Sequence, residues 1–372
     1  MKAVRRTHDA DDDDADEEDW SDKLDYVRGG EKNGNIRIRQ ICGKPFPSSM
    51  FLVFLRRNER QMDHKATEMS VELAQLNKLD TTKLPEASVA FVKNGSGKTL
   101  ARETIIKYTP SLAYAVVQEL DSSILGKDII VEKKPEDSLQ LKLITIETVK
   151  ENRRLLPIAQ QFHTVADGRH AECHMTDILS THSLGTYNLD LKKNVTIDSF
   201  ELTDSWRDDA GFIVTDRNVY LQGTYDVAKL LPTLIASSQK ISAYTKTDFD
   251  LVADFDSTVC GFSRDAYLTL LLASSSTILL AKSSGSIDGI IVGNGADRIN
   301  LIYAETIEIA HALLKSYVEK TKVKQVTMFT VQGAWECQPT KQRPVHRRHT
   351  RAVPSLIKWA KIYALNMGVH IV

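Results

Sequence analysis

Between Thr277 and Thr330 the residues fall into an order that few architectures accommodate. Two short β-rich runs, Thr277 to Ala281 and Ile287 to Val292, flank Lys282-Ser-Ser-Gly-Ser286, whose small residues with Gly285 suit a hairpin loop. A third run, Ile299 to Tyr303, leads into Thr306 to Glu319. There Ala310, Leu313, Leu314 and Tyr317 recur at the i, i+3, i+4, i+7 spacing of one buried helix face. Gln325 to Thr330 then returns as a strand. Strand, helix and strand in that order make a right-handed crossover between parallel neighbours. Ile299–Tyr303 and Gln325–Thr330 are therefore expected side by side in one sheet, with the helix covering them. Upstream, Asp256 to Leu268 reads as a turn through Gly261 into a helix N-capped by Ser263.

The chain of 372 residues is long enough to bury two cores. From Asn35 onward short strands alternate with helical patterns, which means α/β. Ile36 to Ile41, Phe51 to Leu55, Ser88 to Val92 and Leu139 to Ile146 read as strands. Ala66 to Leu76, Leu100 to Lys107 and Thr148 to Phe162 read as helices, the last kinked at Pro157. The pattern weakens from Ala166 to Asp209, which places the join between two units near Ser205 to Thr224, and direct identity shows no internal repeat. The expected divisions are an acidic tail over 1–34, a divergent α/β unit over 35–215 and a clearer unit over 216–372.

Lys plus Arg (48) nearly balance Asp plus Glu (49), but residues 1–34 hold 12 of the acidic and 6 of the basic side chains, leaving 42 basic against 37 acidic. The tail's like-charge block, Asp11 to Asp14 and Asp16 to Asp19, repels itself and is expected to be disordered, as a solvating tail or a dock for a basic protein partner. The mildly basic remainder suits an anionic cofactor, and nothing in it argues for nucleic acid. The four cysteines, Cys42, Cys173, Cys260 and Cys337, are widely spaced and read as reduced thiols of a cytoplasmic or nuclear protein. The longest apolar stretch, Tyr267 to Ala281, is broken by Ser274 to Thr277, so no membrane span is expected.

The segments "DFDSTVCGFSRDAYL", "IDGIIVG", "INLIYAETIEIAHALL" and "KIYALNMGVHIV", with the element order above, resemble the GNAT acyl-CoA N-acyltransferase fold. They are most similar to the second half of tandem GNAT-like proteins, including a nematode-expanded group. The resemblance implies a mixed, mostly antiparallel sheet flanked by helices, two units, and acetyl-CoA or another acyl-CoA as cofactor. In that family the cofactor binds where two parallel strands splay apart, with its pyrophosphate on the N-terminus of the long helix. The family's loop there is Arg or Gln-x-x-Gly-x-Gly or Ala, because glycine lets backbone approach phosphate closely. Here Ala304, Glu305 and Thr306 follow Tyr303 with no glycine, and Glu305 would repel a phosphate.

A Gly-containing turn, Asn94-Gly95-Ser96-Gly97-Lys98-Thr99, sits between an expected strand and an expected helix, the context a phosphate loop requires. Three readings stand: a degenerate GNAT pyrophosphate loop, a P-loop whose leading Gly position is Val92 and which lacks a Walker B strand, and a plain turn using glycine for positive φ. Acyl transfer to an amine needs a base and an acid. Glu305, Tyr303 and Tyr363 lie on segments resembling those positions, though no spacing ties them together and each equally suits packing. His163, His170, Cys173, His174 and His182 include an i, i+3, i+4 set, but a second paired set is missing and no metal site is assigned. "HRRHTR", His346 to Arg351, reads as an exposed strand or loop and resembles the arginine-bearing penultimate strand of the tandem family. The resemblance thus implies an N-acyltransferase of a small amine. Its rivals are a non-catalytic GNAT-like scaffold, favoured by the missing glycines, and a P-loop ATPase.

Overall fold

The computed structural model describes residues 70–372 apart from 78, 95, 125–127, 134–139, 146–159, 165–170, 185–192, 284, 296 and 371–372. The acidic tail and the strands expected at Ile36–Ile41 and Phe51–Leu55 lie outside the described residues. Helix α1 (Ser70–Asn77) precedes an antiparallel meander of β1 (Ala87–Lys93), β2 (Thr99–Thr109) and β3 (Leu112–Leu120). Strands β4 (Asp128–Lys133), β5 (Gln140–Thr145) and β6 (Gln160–Thr164) extend the sheet beyond β1. Helix α2 (Ala171–Leu184) then leads to β7 (Asn194–Ser199), which runs parallel to β3.

After β8 (Val214–Thr215) and β9 (Tyr220–Asp226), the same order is built again. Strand β10 (Ile241–Ala243) and helices α3 (Phe249–Cys260) and α4 (Asp265–Ala273) precede a meander of β11 (Thr277–Ser283), β12 (Ser286–Gly293) and β13 (Arg298–Ala304). Helix α5 (Ile307–Thr321) crosses to β14 (Gln325–Val331), parallel to β13, as the strand–helix–strand pattern requires. The chain ends through β15 (Lys341–His349) and β16 (Ile362–Ala364). The strand order is β10-β11-β12-β13-β14-β9-β15-β7-β3-β2-β1-β5-β4-β6.

The two repeats exchange strands at the centre. β9, which follows the first meander and crossover, pairs with β14 of the second, whereas β15, which follows the second, pairs with β7 of the first. β9 and β15 also pair with each other, so the sheet is continuous past residues 215 and 216. The repeat that residue identity did not reveal is thus present as topology.

Helix α5 buries the residues its periodicity singles out: Ala310, Leu313, Leu314 and Tyr317 pack with Leu279, Ile291, Ile299 and Ile302. Full burial of each aliphatic side chain contributes about 1.5–3 kcal/mol. The helix approaches the sheet closely because Gly293 lies beneath the Tyr317 ring, where a Cβ would overlap it. On the opposite face Val252, Phe255, Val259, Tyr267 and Leu271 of α3 and α4 cover Leu280, Ile290, Val292, Leu301 and Tyr303. The fold is therefore a mixed, mostly antiparallel α/β sheet flanked by helices, the GNAT arrangement.

Several local expectations need correction. Leu100–Lys107 is not a helix but most of β2. Leu73 and Ala74 of α1 pack in one core with Ile106, and Met175, Ile178 and Leu179 of α2 pack in another with Leu100 and Ala101. A strand covered on both faces loses its apolar alternation. Gln160–Phe162, expected to end a helix, belongs to β6, and residues 148–159 lie outside the described set. Gly261 closes α3 at φ 83°, and α4 is N-capped by Arg264, the Ser263 hydroxyl bonding Asp265 instead. "HRRHTR" supplies the end of a strand, as expected, but its middle is not exposed: Arg347, Arg348 and His349 are buried in β15 between β7 on one side and β8 and β9 on the other, whereas Arg351 is exposed.

Candidate functional site

Strands β13 and β14 pair only at Arg298↔Thr327 and Ile299↔Met328 and then diverge. This is the splay that the fold uses for its acyl-CoA. Here the chain itself enters it: β16 runs antiparallel to β13 at Ile302↔Ala364 and Tyr303↔Ile362, and the Leu365 amide donates to the Phe329 carbonyl of β14 at 3.0 Å. The apolar run Ile362-Tyr-Ala-Leu365 suits that position, since Ile362, Ala364 and Leu365 are buried. Trp335 Nε1 donates to the Tyr363 carbonyl at 3.1 Å, and Lys361 Nζ meets the Glu305 carboxylate at 2.6 Å, so the segment is tied down along its length.

The helix terminus beside the splay is equally unsuited to a pyrophosphate. Helix α5 starts after Thr306 with Glu305 on one side and Glu308 in its first turn. Hydrogen bonding from Thr306 holds the Glu308 carboxyl below its usual range, so it stays ionised. Two carboxylates thus sit where the helix dipole would attract an anion. The residues present do not fit acyl-CoA at this terminus or in this splay.

The three residues proposed for chemistry sit in different surroundings. Tyr303 points into the core shared with α3 and α4, where Arg264 Nη2 donates to its hydroxyl at 3.1 Å, and burial pushes its phenol well above the ordinary range. Glu305 is at the surface on Lys361. Tyr363 packs against the other core, beside Trp335 with ring centroids 6.2 Å apart.

The Gly-containing turn closes the β1–β2 hairpin rather than opening a helix. Asn94 Oδ1 accepts from Ser96 N at 3.1 Å, Ser96 Oγ at 2.7 Å and Lys98 N at 2.9 Å, and Gly97 takes φ 84°. Lys98 Nζ donates to Asp121 at 2.5 Å, and Thr99 begins β2. Gly95 lies outside the described residues. The strand–loop–helix context on which the phosphate-loop and ATPase readings depended is absent here. In the histidine cluster, Cys173 is buried among Ile105, Ala113 and Trp206, and burial pushes its thiol up, away from the thiolate a metal would need. Among the described residues no group of three ligands faces one point; His170 and the side chains of His163, His174 and His182 lie outside them.

Sequence reasoning missed two buried ion pairs that clasp the chain's end. Arg264 is bidentate on Asp256, at 2.6 Å for both contacts, and its Nη1 lies 2.7 Å from His370 Nδ1. Arg347 is bidentate on Asp198 at 2.7 and 2.8 Å and reaches the His370 carbonyl at 3.3 Å. The Gly368 amide donates to Tyr114 Oη at 3.0 Å and Asp198 Oδ2 at 3.1 Å. A signal was available for Arg264, which lies in the largely apolar stretch Val259 to Leu268, since charged side chains are rarely buried unless paired; Arg347, inside the basic run His346 to Arg351, offered none.

The first repeat has its own splay. β3 and β7 pair only over Leu112–Tyr114 and Asn194–Thr196. On the α1 side of β3, Val116 and Gln118 line a pocket of about 230 Å³ together with Ala74, Gln75, Leu79, Asp80, Arg102 and Val369. Gly368 bridges the side chains of Tyr114 on β3 and Asp198 on β7, and the pocket lies beside this splay, against α1.

Residues 71–214 match the family described as "Domain of unknown function (DUF7596)". No curated protein matches the chain. Similar solved structures include a candidate acetyltransferase from Pyrococcus horikoshii, at 10% identity and TM-score 0.44, covering 73% of this chain and 76% of that one. A GCN5-related N-acetyltransferase from Sphaerobacter thermophilus is similar at 11% identity and TM-score 0.37, covering 71% and 81%. A tandem GNAT protein from the clavulanic acid biosynthesis pathway is similar at 8% identity and TM-score 0.37, covering 76% and 89%. The chain's own strand order, with its two meander–crossover repeats, identifies it as a GNAT-type fold.

Proposed function

We propose that this protein is a non-catalytic GNAT-fold binding scaffold. The observation that carries this reading is β16 seated between β13 and β14, the place the fold reserves for acyl-CoA. Acidic residues at the α5 terminus and the different surroundings of Tyr303, Glu305 and Tyr363 support it. The chain has kept the sheet and crossover helices while using its own backbone to satisfy the strand edges the splay would expose.

A second reading, an acyl-CoA-dependent N-acyltransferase of a small amine, draws support from the open pocket beside β3. Its lining works against it: Asp80 is held below the usual carboxylate range by the Thr82 hydroxyl, and no lining side chain is a base poised near neutral pH. Thermal melting with acetyl-CoA, a longer acyl-CoA and Mg-ATP tests the choice, because a ligand that binds only the folded state raises the melting temperature. The scaffold reading expects no shift with any of the three. A saturable shift with either acyl-CoA, accompanied by release of free CoA in the presence of an amine, would establish the second reading instead.

A further inference from the structure

We propose that the pocket beside β3 binds a small zwitterion with an apolar body, of the size and chemistry of a free aliphatic α-amino acid, without acylating it; this rests on the scaffold reading above. The volume sets the first limit. About 230 Å³ is below the roughly 300–1,000 Å³ of ordinary small-molecule sites, so a nucleotide or CoA is too large and a single amino acid is of suitable size.

The lining sets the chemistry. Ala74, Leu79, Val116 and Val369 supply an apolar wall, and Arg102 and Asp80 supply one charge of each sign. A guanidinium carries five N–H donors. Among the described residues the hydrogen-bond partner of the Arg102 guanidinium is Glu119, through Nη2 at 2.6 Å, so donors remain for a carboxylate. Asp80 turns one oxygen to Thr82, taking its amide at 3.3 Å and its hydroxyl at 2.5 Å. Its other oxygen stands 3.7 Å from Lys83 Nζ, too far for a hydrogen bond, and can accept from an ammonium. Gln118 is held between Thr104 Oγ1 and Thr81 Oγ1 at 2.8 and 3.1 Å, which fixes that side of the pocket. Opposite charges across an apolar wall match an α-amino acid better than a simple acid, a simple amine or a hydrocarbon.

Calorimetric titration of the full chain with L-leucine tests this, with 4-methylpentanoate and 3-methylbutylamine as probes carrying one charge each. L-Leucine is expected to saturate at one site, with each single-charge probe at least tenfold weaker. Asp80→Asn keeps the cap on the Thr82 amide and is expected to weaken L-leucine at least tenfold, as is Arg102→Gln, with both melting close to the parent. Should Arg102→Gln fail to fold, Arg102→Lys and Asp80→Asn carry the test. No saturable heat with L-leucine, equal binding in the charge variants, or a single-charge probe binding as tightly overturns the proposal. Acetyl-CoA titrated into the same preparation separates the two claims: silence for both ligands removes this pocket's role alone, whereas acetyl-CoA binding removes the scaffold reading.

Discussion

At the scale of single residues, the fold depends on two arginines that are fully removed from water and are each bidentate on one aspartate. Removing one partner of such a pair strands the other charge, which costs about 3–5 kcal/mol. Arg264→Met is therefore expected to lower stability by that amount in denaturant titration, since it leaves Asp256 buried and unpaired. Tyr303→Phe removes a single hydroxyl from the same network and is expected to cost only about 0.5–1.5 kcal/mol. Equal losses for the two would show that the network is not organised around the ion pair. His311 gives a pH signature. Burial lowers its pKa, and its Nδ1 accepts the Ile235 amide at 2.8 Å, so the folded protein favours the neutral ring. A histidine with a lowered folded pKa contributes stability above its unfolded value of about 6.5 and loses it as pH falls through the lowered value. His346, lowered by burial and by Arg348, acts in the same direction. The melting temperature is expected to drop from pH 7.5 to 5.5, and less steeply in His311→Gln; parallel curves would contradict this assignment.

At the scale of elements, the decisive one is the segment from β16 to the end. Leu365, Met367 and Val369 are core residues, and both arginine–aspartate pairs reach 368–370. A chain ending at Lys361 is expected to lose cooperative unfolding altogether. Gly368→Ala is a milder probe: its φ of 80° is poorly tolerated by alanine, and a Cβ would lie 2.6 Å from Leu73 Cγ. A loss of about 1–3 kcal/mol is expected by denaturant titration, and no change would mean that the clasp does not fix this segment. Helix α5 and its flanking strands were legible because one face is buried and the 3.6-residue period survives. β2 was not, because burial on both faces erases the period of two. Nor was the burial of Arg347, since its partner Asp198 lies on a strand distant in sequence. The role of β16 was hidden for the same reason: "KIYALNMGVHIV" shows an apolar end, but that it fills the splay is a tertiary fact.

At the scale of the whole molecule, β9 and β15 are exchanged between the repeats, so each repeat relies on a strand from the other. Residues 1–238, which keep β9, and 239–372, which keep β15, are expected to be poorly folded when expressed separately, and to recover a native-like melting transition when co-expressed. Independent cooperative folding of either piece would contradict the exchange. Hydrogen exchange of the full chain with and without acetyl-CoA bears most directly on the closed splay. The Leu365 amide and the neighbouring β16 backbone are expected to be among the slowest to exchange in the free protein and to be unchanged by acetyl-CoA. Rapid exchange of β16 in the free protein, or protection of β13 gained only when acetyl-CoA is added, would show that the splay is open and a cofactor site after all.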